Sequence, residues 1–279
     1  MSLTYLYQDR FVSKEELQIS PEDRGYYFGD GVYEVFRVYH GRLYEAAAHF
    51  ERWEKSAAAL RIPLPLPSRE LTGRLEELIR INGLSEGTVY MQVTRGAAPR
   101  SHPFPADTKP ILMAYTTEAR RPLNTMKEGI SAVTMEDIRW LRCDLKTLNL
   151  LPNVLAKQHA VDQGAGDVIL HRNGTVTECS ASNIMIVKDG AVITHPANHL
   201  ILHGITRAVV LRLAQGLGLS VRETPFTLKE LRAADEVFIT GTTVEVTPVI
   251  SVDGVPVADG RPGEITRRLQ NEFEKTISF

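Results

Sequence analysis

Cysteine is nearly absent. The 279-residue chain carries two, Cys143 and Cys179, too few for a disulfide framework or a cysteine-only zinc site. A reducing, cytoplasmic home is the simplest reading, and no metal is expected. The eight histidines form no HExxH pattern. His195 and His199 stand four apart, but Pro196 between them argues against a helical pair of ligands. An excess of one charge is lacking too. Lys plus Arg total 32 against 34 for Asp plus Glu, a net charge of -2, without the basic surplus of a nucleic-acid binder. No apolar run approaches the roughly 20 residues that span a bilayer. The opening MSLTYLYQDRFVSKEEL has no basic stretch followed by an apolar core, so it does not read as a signal peptide. Neither nucleic acid nor membrane is expected as a partner. There is no internal repeat, no low-complexity segment, no P-loop and no dinucleotide fingerprint.

What is present is ordinary globular composition, 43% hydrophobic and 24% charged. The length suits one large domain or two modest ones, with about three quarters of the unfolded surface buried. Short β-rich runs alternate with amphipathic helices, which predicts an α/β (α+β) chain. Strands are expected at 33–39, 88–94, 111–116, 130–135, 167–171, 183–187 and 236–240. Helices are expected at 47–60, at 68–82 with Ser68 as N-cap, at 154–163 after Pro152, and at 205–217. Thr227 to Glu230 reads as a capping box, and Ile265, Leu269 and Phe273 form the stripe of a last helix. The polar, basic stretch Glu118-Ala-Arg-Arg-Pro-Leu-Asn124 breaks this pattern. It predicts an N-terminal domain over 1–118, a linker over 119–124 and a C-terminal domain over 125–279; a surface loop within one domain is the alternative.

Lysine is scarce, nine among the 32 basic residues, and Lys146 sits among Leu145, Leu148, Leu150 and Leu151. Partial desolvation would make its amine nucleophilic, as Schiff-base chemistry requires; a lysine snorkelling over apolar surface is the plain alternative. Two Gly-Thr turns are suited to an anion. Gly204-Ile205-Thr206 opens a helix, where free N–H groups and the dipole favour phosphate, and Gly241-Thr242-Thr243 follows a strand. Ordinary capping explains either turn equally well. Glu178 stands in a polar run entering an apolar strand, suited to an internal cation or simply to a solvated loop. Arg100 and His102 lie on a loop stiffened by Pro99, Pro103 and Pro105. Together they suit a carboxylate, since Arg offers a bidentate fork; a basic surface loop is the alternative.

The order of the blocks decides among these readings. DRGYYFGDGVYEVFRVY, HFERW, VTRGAAPRSHPF, EDIRWLRCDLKTLNLLPNVLAKQ, GDVILHRNGTVTECSASN, THPANHLILHGITR and FITGTTVEVTPV follow in sequence. This series closely resembles the D-amino acid aminotransferases, within fold type IV of the pyridoxal-phosphate enzymes, over nearly the whole chain. The resemblance implies a smaller N-terminal α/β domain and a larger domain with a β-barrel-like core. It implies pyridoxal 5'-phosphate as cofactor and a ping-pong transfer from a D-amino acid such as D-alanine to a 2-oxo acid such as 2-oxoglutarate. The family's Schiff-base lysine falls on Lys146 and its pyridine-nitrogen carboxylate on Glu178. Its phosphate contacts fall on Arg52, the Ile205 backbone, Thr206 and Thr242, and a residue packing on the ring falls on Leu202. Its trap for the substrate carboxylate falls on Tyr33, Arg100 and His102, the last two reaching in from the neighbouring subunit, so a homodimer with shared sites is implied. The family's usual Gly-Ser-Ser-Ser-Asn is here Cys179-Ser180-Ala181-Ser182-Asn183, and Gly241 stands where serine is frequent; both bear on fine tuning rather than reaction class. A branched-chain L-amino acid aminotransferase or an aminodeoxychorismate lyase of the same fold remains the alternative, and the Pro-Arg-x-His motif favours the first reading. A non-catalytic phosphate-binding protein would keep the Gly-Thr turns but has no need of Lys146, Glu178 and the trap together.

Overall fold

The computed structural model describes residues 3–278. Its contacts divide the chain into two compact units. One runs through Arg121 and takes back Leu145–Asn149; the other comprises Pro122–Asp144 and the chain from Leu150. Leu123 and Asn124, expected in a linker, open a helix instead. Leu145–Asn149 joins the first unit through backbone pairing. The Tyr33 N–H donates to Lys146 O at 3.0 Å, the Leu148 N–H to Gly31 O at 3.1 Å, and Val32 and Thr147 form an isolated β-bridge.

The first unit contains β1 (Thr4–Tyr7), β2 (Arg10–Ser13), α1 (Arg24–Phe28), β3 (Gly31–Tyr39), β4 (Arg42–Leu43), α2 (Ala46–Ala59), α3 (Ser68–Ile81), β5 (Gly87–Thr94) and β6 (Ile111–Glu118). The six strands form one antiparallel sheet in the order β2-β1-β6-β5-β3-β4. Alternation sorts its faces. Val89, Met91 and Val93 of β5 and Val32, Phe36 and Val38 of β3 are buried with Phe50 and Trp53 of α2 and Leu71, Leu75 and Leu78 of α3. The opposite face carries a row of tyrosines, Tyr33, Tyr90, Tyr115 and Tyr5, with neighbouring ring centroids 5.2–5.6 Å apart. Spacings of four, three and one between Leu71, Leu75, Leu78 and Ile79 bury one face of α3, as expected. Its N-cap is Pro67 rather than Ser68, whose hydroxyl is bonded to Glu54.

The second unit contains α4 (Leu123–Glu128), β7 (Ile130–Glu136), α5 (Leu151–Asp162), β8 (Asp167–Arg172), β9 (Thr175–Cys179), β10 (Asn183–Lys188), β11 (Ala191–Thr194), α6 (Ile205–Gly216), β12 (Ser220–Glu223), α7 (Leu228–Arg232), β13 (Glu236–Gly241), β14 (Glu245–Val252), β15 (Val255–Pro256) and α8 (Glu264–Ile277). Its nine-stranded sheet follows β12-β11-β10-β13-β14-β7-β8-β9, with β15 paired to β14. The β11–β12, β14–β7 and β7–β8 pairs are parallel and the rest antiparallel. The sheet curls into a half-barrel in which edge strand β9 lies against β10. Ile169, Val176, Ile184, Ile186, Val237, Ile239 and Val249 fill its interior. Helix α5 starts three residues earlier than expected, because Pro152 lies inside its first turn. The capping box at Thr227 is complete: Glu230 N–H donates to Thr227 Oγ1 at 3.2 Å, and Thr227 N–H to Glu230 Oε2 at 2.7 Å. The last helix buries Leu269 and Phe273 and extends that stripe to Ile277. Among the described residues, no helix is long and apolar enough to cross a membrane, and no cluster of three metal-ligating side chains occurs.

Candidate active site

In the first unit, Lys146 follows the buried Leu145 and is itself half-buried. Its N–H donates to Ser56 Oγ at 3.2 Å, and its Nζ stands 4.2 Å from the centroid of the Tyr33 ring. An aromatic face attracts an ammonium through its quadrupole. The leucine surround expected from the sequence is only partial. Leu145 is buried, whereas Leu151, the first residue of α5 in the other unit, is 68% exposed.

Beneath this lysine lies a buried charge cluster that sequence reasoning missed except for Arg52. Glu34 of β3 is 0% exposed and faces the core side of the sheet. Arg52 of α2 meets it bidentately, Nε to Oε1 and Nη2 to Oε2, each at 2.7 Å, and His49 Nδ1 is 2.7 Å from Oε2. Burial pushes the Glu34 carboxyl up, but the Arg52 charge and the hydrogen bonds from Arg52 and His49 prevail and bring it down to about 2. Burial likewise pushes His49 below its ordinary value against the pull of Glu34, so the imidazole is neutral at pH 7. The spacing of His49, Arg52, Trp53 and Ser56, one helix face mixing polar and aromatic groups, was the available signal.

In the second unit, Glu178 of β9 is 4% exposed. Arg139 Nη1 donates to its Oε1, Asn183 Nδ2 to its Oε2 at 2.9 Å, and the Leu202 N–H to both oxygens at 3.1 and 3.2 Å. Burial raises the carboxyl, against Arg139 and the amide donors that favour its charge. Arg139 is itself fixed by Asp137, Nε to Oδ1 at 2.9 Å and Nη2 to Oδ2 at 2.8 Å. Arg172 and Thr177 also donate to Asp137, so the carboxylate–guanidinium chain is saturated. Arg139 and Asp137 were not singled out from sequence; their signal was the polar pair within EDIRW.

Helix α6 begins in the same unit. Its N-cap, Gly204, supplies no side-chain cap, so no capping side chain engages the amides of its first turn. A Cβ at Gly204 would lie 2.0 Å from Asn183 Oδ1, so glycine is needed for close approach. Thr206 is buried in that turn, and Leu202 is half-buried, its carbonyl accepting Asn183 Nδ2 at 2.9 Å. Gly241 ends β13 with Thr242 half-buried beside it, and the neighbouring Thr240 Oγ1 is buried without a hydrogen-bond partner among the described residues. Ala181 is exposed, while the flanking Ser180 and Ser182 hydroxyls both donate to Asp167, at 2.6 and 3.3 Å.

The residues expected to take the substrate carboxylate divide. Tyr33 stacks on Tyr90 and meets Lys146. Arg100 and His102 are exposed and meet Phe28 instead, the Arg100 guanidinium 5.1 Å and the His102 ring 5.6 Å from its centroid. Among the described residues the Arg100 guanidinium makes no hydrogen bond or ion pair.

The chain belongs to the class IV amino-transferase family, whose model matches residues 31–252, and it is an aminotransferase. It is 47% identical over 268 residues to a D-alanine aminotransferase of Staphylococcus haemolyticus, covering 96% of this chain and 95% of that one. It is 48% identical over 275 residues to a D-alanine aminotransferase of Listeria innocua serovar 6a, covering 98% and 95%. A solved branched-chain amino acid aminotransferase of Escherichia coli superposes with a TM-score of 0.94 at 28% identity, covering 99% of this chain and 94% of that one.

Proposed function

We propose that this chain is a pyridoxal-phosphate-dependent D-amino acid aminotransferase, moving the amino group of a substrate such as D-alanine to a 2-oxo acid such as 2-oxoglutarate. The observation that carries this reading is the near-half identity, over almost the full length of both chains, with D-alanine aminotransferases. Branched-chain aminotransferases share the fold at 28% identity.

The residues present fit the cofactor. When bound, pyridoxal phosphate supplies an aldehyde carbon for the substrate nitrogen and a protonated ring that accepts an electron pair. Lys146 would hold it covalently and, as a free amine, would move the proton of the substrate Cα. Glu178 would hold a proton on the pyridine nitrogen. Arg139 and two N–H donors already prefer this carboxylate charged, so a cationic partner suits it. The uncapped amides at Ile205, the Thr206 and Thr242 hydroxyls and Arg52 would hold the phosphate, and Leu202 would lie against the ring. Tyr33 takes the substrate carboxylate with Arg100 and His102. The exposure of these two side chains, and the lack of an anionic partner for Arg100 among the described residues, support their working in the partner subunit of a homodimer. Two buried, free cysteines support a reducing, cytoplasmic setting.

Adding D-alanine to the yellow holoenzyme should bleach its long-wavelength absorbance, and a 2-oxo acid should restore it. L-alanine and L-leucine should leave it unchanged. Bleaching by L-leucine and not by D-alanine would replace this reading with the branched-chain one.

A further inference from the structure

The Pro99–Pro105 loop is held by groups from elsewhere in the first unit. Arg24 is 3% exposed; its Nη1 donates to Ser101 O at 2.5 Å and its Nη2 to His102 O at 3.3 Å. Arg24 Nε is anchored on Asp30 at 2.8 Å, and Arg95 grips the same carboxylate with Nε at 2.8 Å and Nη2 at 2.9 Å. The Arg95 guanidinium then lies 3.7 Å from the centroid of Phe104, with Arg61 4.8 Å from the same ring. Phe104 is 47% exposed, yet two cations hold it. Phe28, at the end of α1, is a second platform. Arg24, Arg100 and His102 all meet its ring, at 4.8, 5.1 and 5.6 Å. Both exposed trap side chains therefore meet one aromatic ring, and the loop bearing them is held at Phe104.

We propose that Phe104 and Phe28 are positioning residues for the substrate carboxylate: Phe104 fixes the loop against Arg61 and Arg95, and Phe28 sets the directions of Arg100 and His102. This rests on the reading that Arg100 and His102 bind that carboxylate. A loop held in its binding shape beforehand loses less entropy when substrate arrives, so its release appears mainly in KM. A ring that served only to cover surface would affect all substrates alike.

The test compares wild-type, Phe104→Ala, Phe104→Tyr, Phe28→Leu and Arg100→Ala holoenzymes. Readouts are KM and kcat for D-alanine, the half-reaction with a carboxylate-free primary amine, cofactor absorbance, and amide hydrogen exchange of the loop. Phe104→Ala and Phe28→Leu should each raise the D-alanine KM by about 3- to 30-fold, the range a lost cation–π grip allows. Their kcat should stay within about twofold, and the amine reaction should not change. Exchange in the loop should quicken in Phe104→Ala, and Phe104→Tyr, which keeps the ring, should restore wild-type values. If Arg100→Ala raises KM and Phe104→Ala does not, the positioning role falls while the carboxylate reading stands. If Arg100→Ala leaves KM unchanged, the carboxylate reading itself falls and takes this proposal with it. If Phe104→Ala slows the amine equally or loses cofactor, its role is structural and the proposal is wrong. Should Phe28→Leu fail to fold, the Phe104 pair still decides.

Discussion

Replacing Glu34 with glutamine removes one charge from the interior of the first unit and keeps its shape. Glu34 is fully buried and receives Arg52 twice and His49 once, all at 2.7 Å. Its carboxyl titrates at about 2 in the fold against 4.5 in the open chain. That gap of about 2.5 units corresponds to about 3 kcal/mol of stability. Glutamine also turns an amide donor toward a guanidinium that offers only donors, and leaves Arg52 buried without its carboxylate, a defect of about 3–5 kcal/mol. The two routes agree on a loss of about 3–4 kcal/mol near neutral pH. Because the folded pKa lies below the unfolded one, this contribution is complete above about pH 4.5 and drains as the pH falls toward about 2. The assay is urea unfolding followed by the fluorescence of Trp53, buried in the core of the same unit, in chains whose second tryptophan, Trp140, is replaced by phenylalanine. The stability gap between wild type and Glu34→Gln should be constant from about pH 7 to about pH 5, then narrow by about 1.4 kcal/mol per pH unit. A gap below about 1 kcal/mol at neutral pH, or one indifferent to acid, would refute the account of a buried, ionised carboxylate.

Borohydride reduction of the holoenzyme followed by peptide mapping should label Lys146, and Lys146→Ala should fold, hold the cofactor noncovalently and lose nearly all turnover; a label on another lysine sinks the assignment. Glu178→Gln, which cannot keep a proton on a ring nitrogen as well, should slow turnover by about 10- to 100-fold or more, and wild-type rates would remove that role. Heterodimers of inactive Lys146→Ala and inactive Arg100→Ala chains should regain one working site, and verified heterodimers without activity would place the trap within one chain.

Most long elements were legible because their periodicity is plain: strands with Val89, Met91 and Val93 on one side, and a helix with Leu71, Leu75 and Leu78 on one stripe; the eight-residue β14, buried along most of its length and interrupted by Pro248, was not. Strand β9 was not, because its sequence Thr-Val-Thr-Glu-Cys reads as a polar loop. Its polar groups are satisfied inside the protein, Thr177 by Asp137 and Glu178 by Arg139, and no local pattern announces such distant partners. Strands β1 and β2 escaped because each has only four residues. Glu34 escaped because a glutamate between Tyr33 and Val35 looks like a residue on a wet face; only the fold reveals Arg52 beneath it. Lys146, Glu178 and the Gly-Thr turns were visible as weak local signals, and the order of the blocks, more than any one of them, singled them out.

The backbone that carries Lys146 is paired to Gly31 and Tyr33, across more than a hundred residues of chain. The smaller unit therefore has a gap in its sequence that synthesis must cross before it can be finished. At about 5–20 residues per second, a ribosome needs several seconds between making β3 and making its last partner. Until then the N–H of Tyr33 has no Lys146 carbonyl to meet. A chain interrupted near Arg121 would bring with it Glu34, Arg52 and the Pro99–Pro105 loop but not Lys146. On the role proposed for that lysine, half-made copies lack the reactive amine, and it takes its place only as the smaller unit is completed.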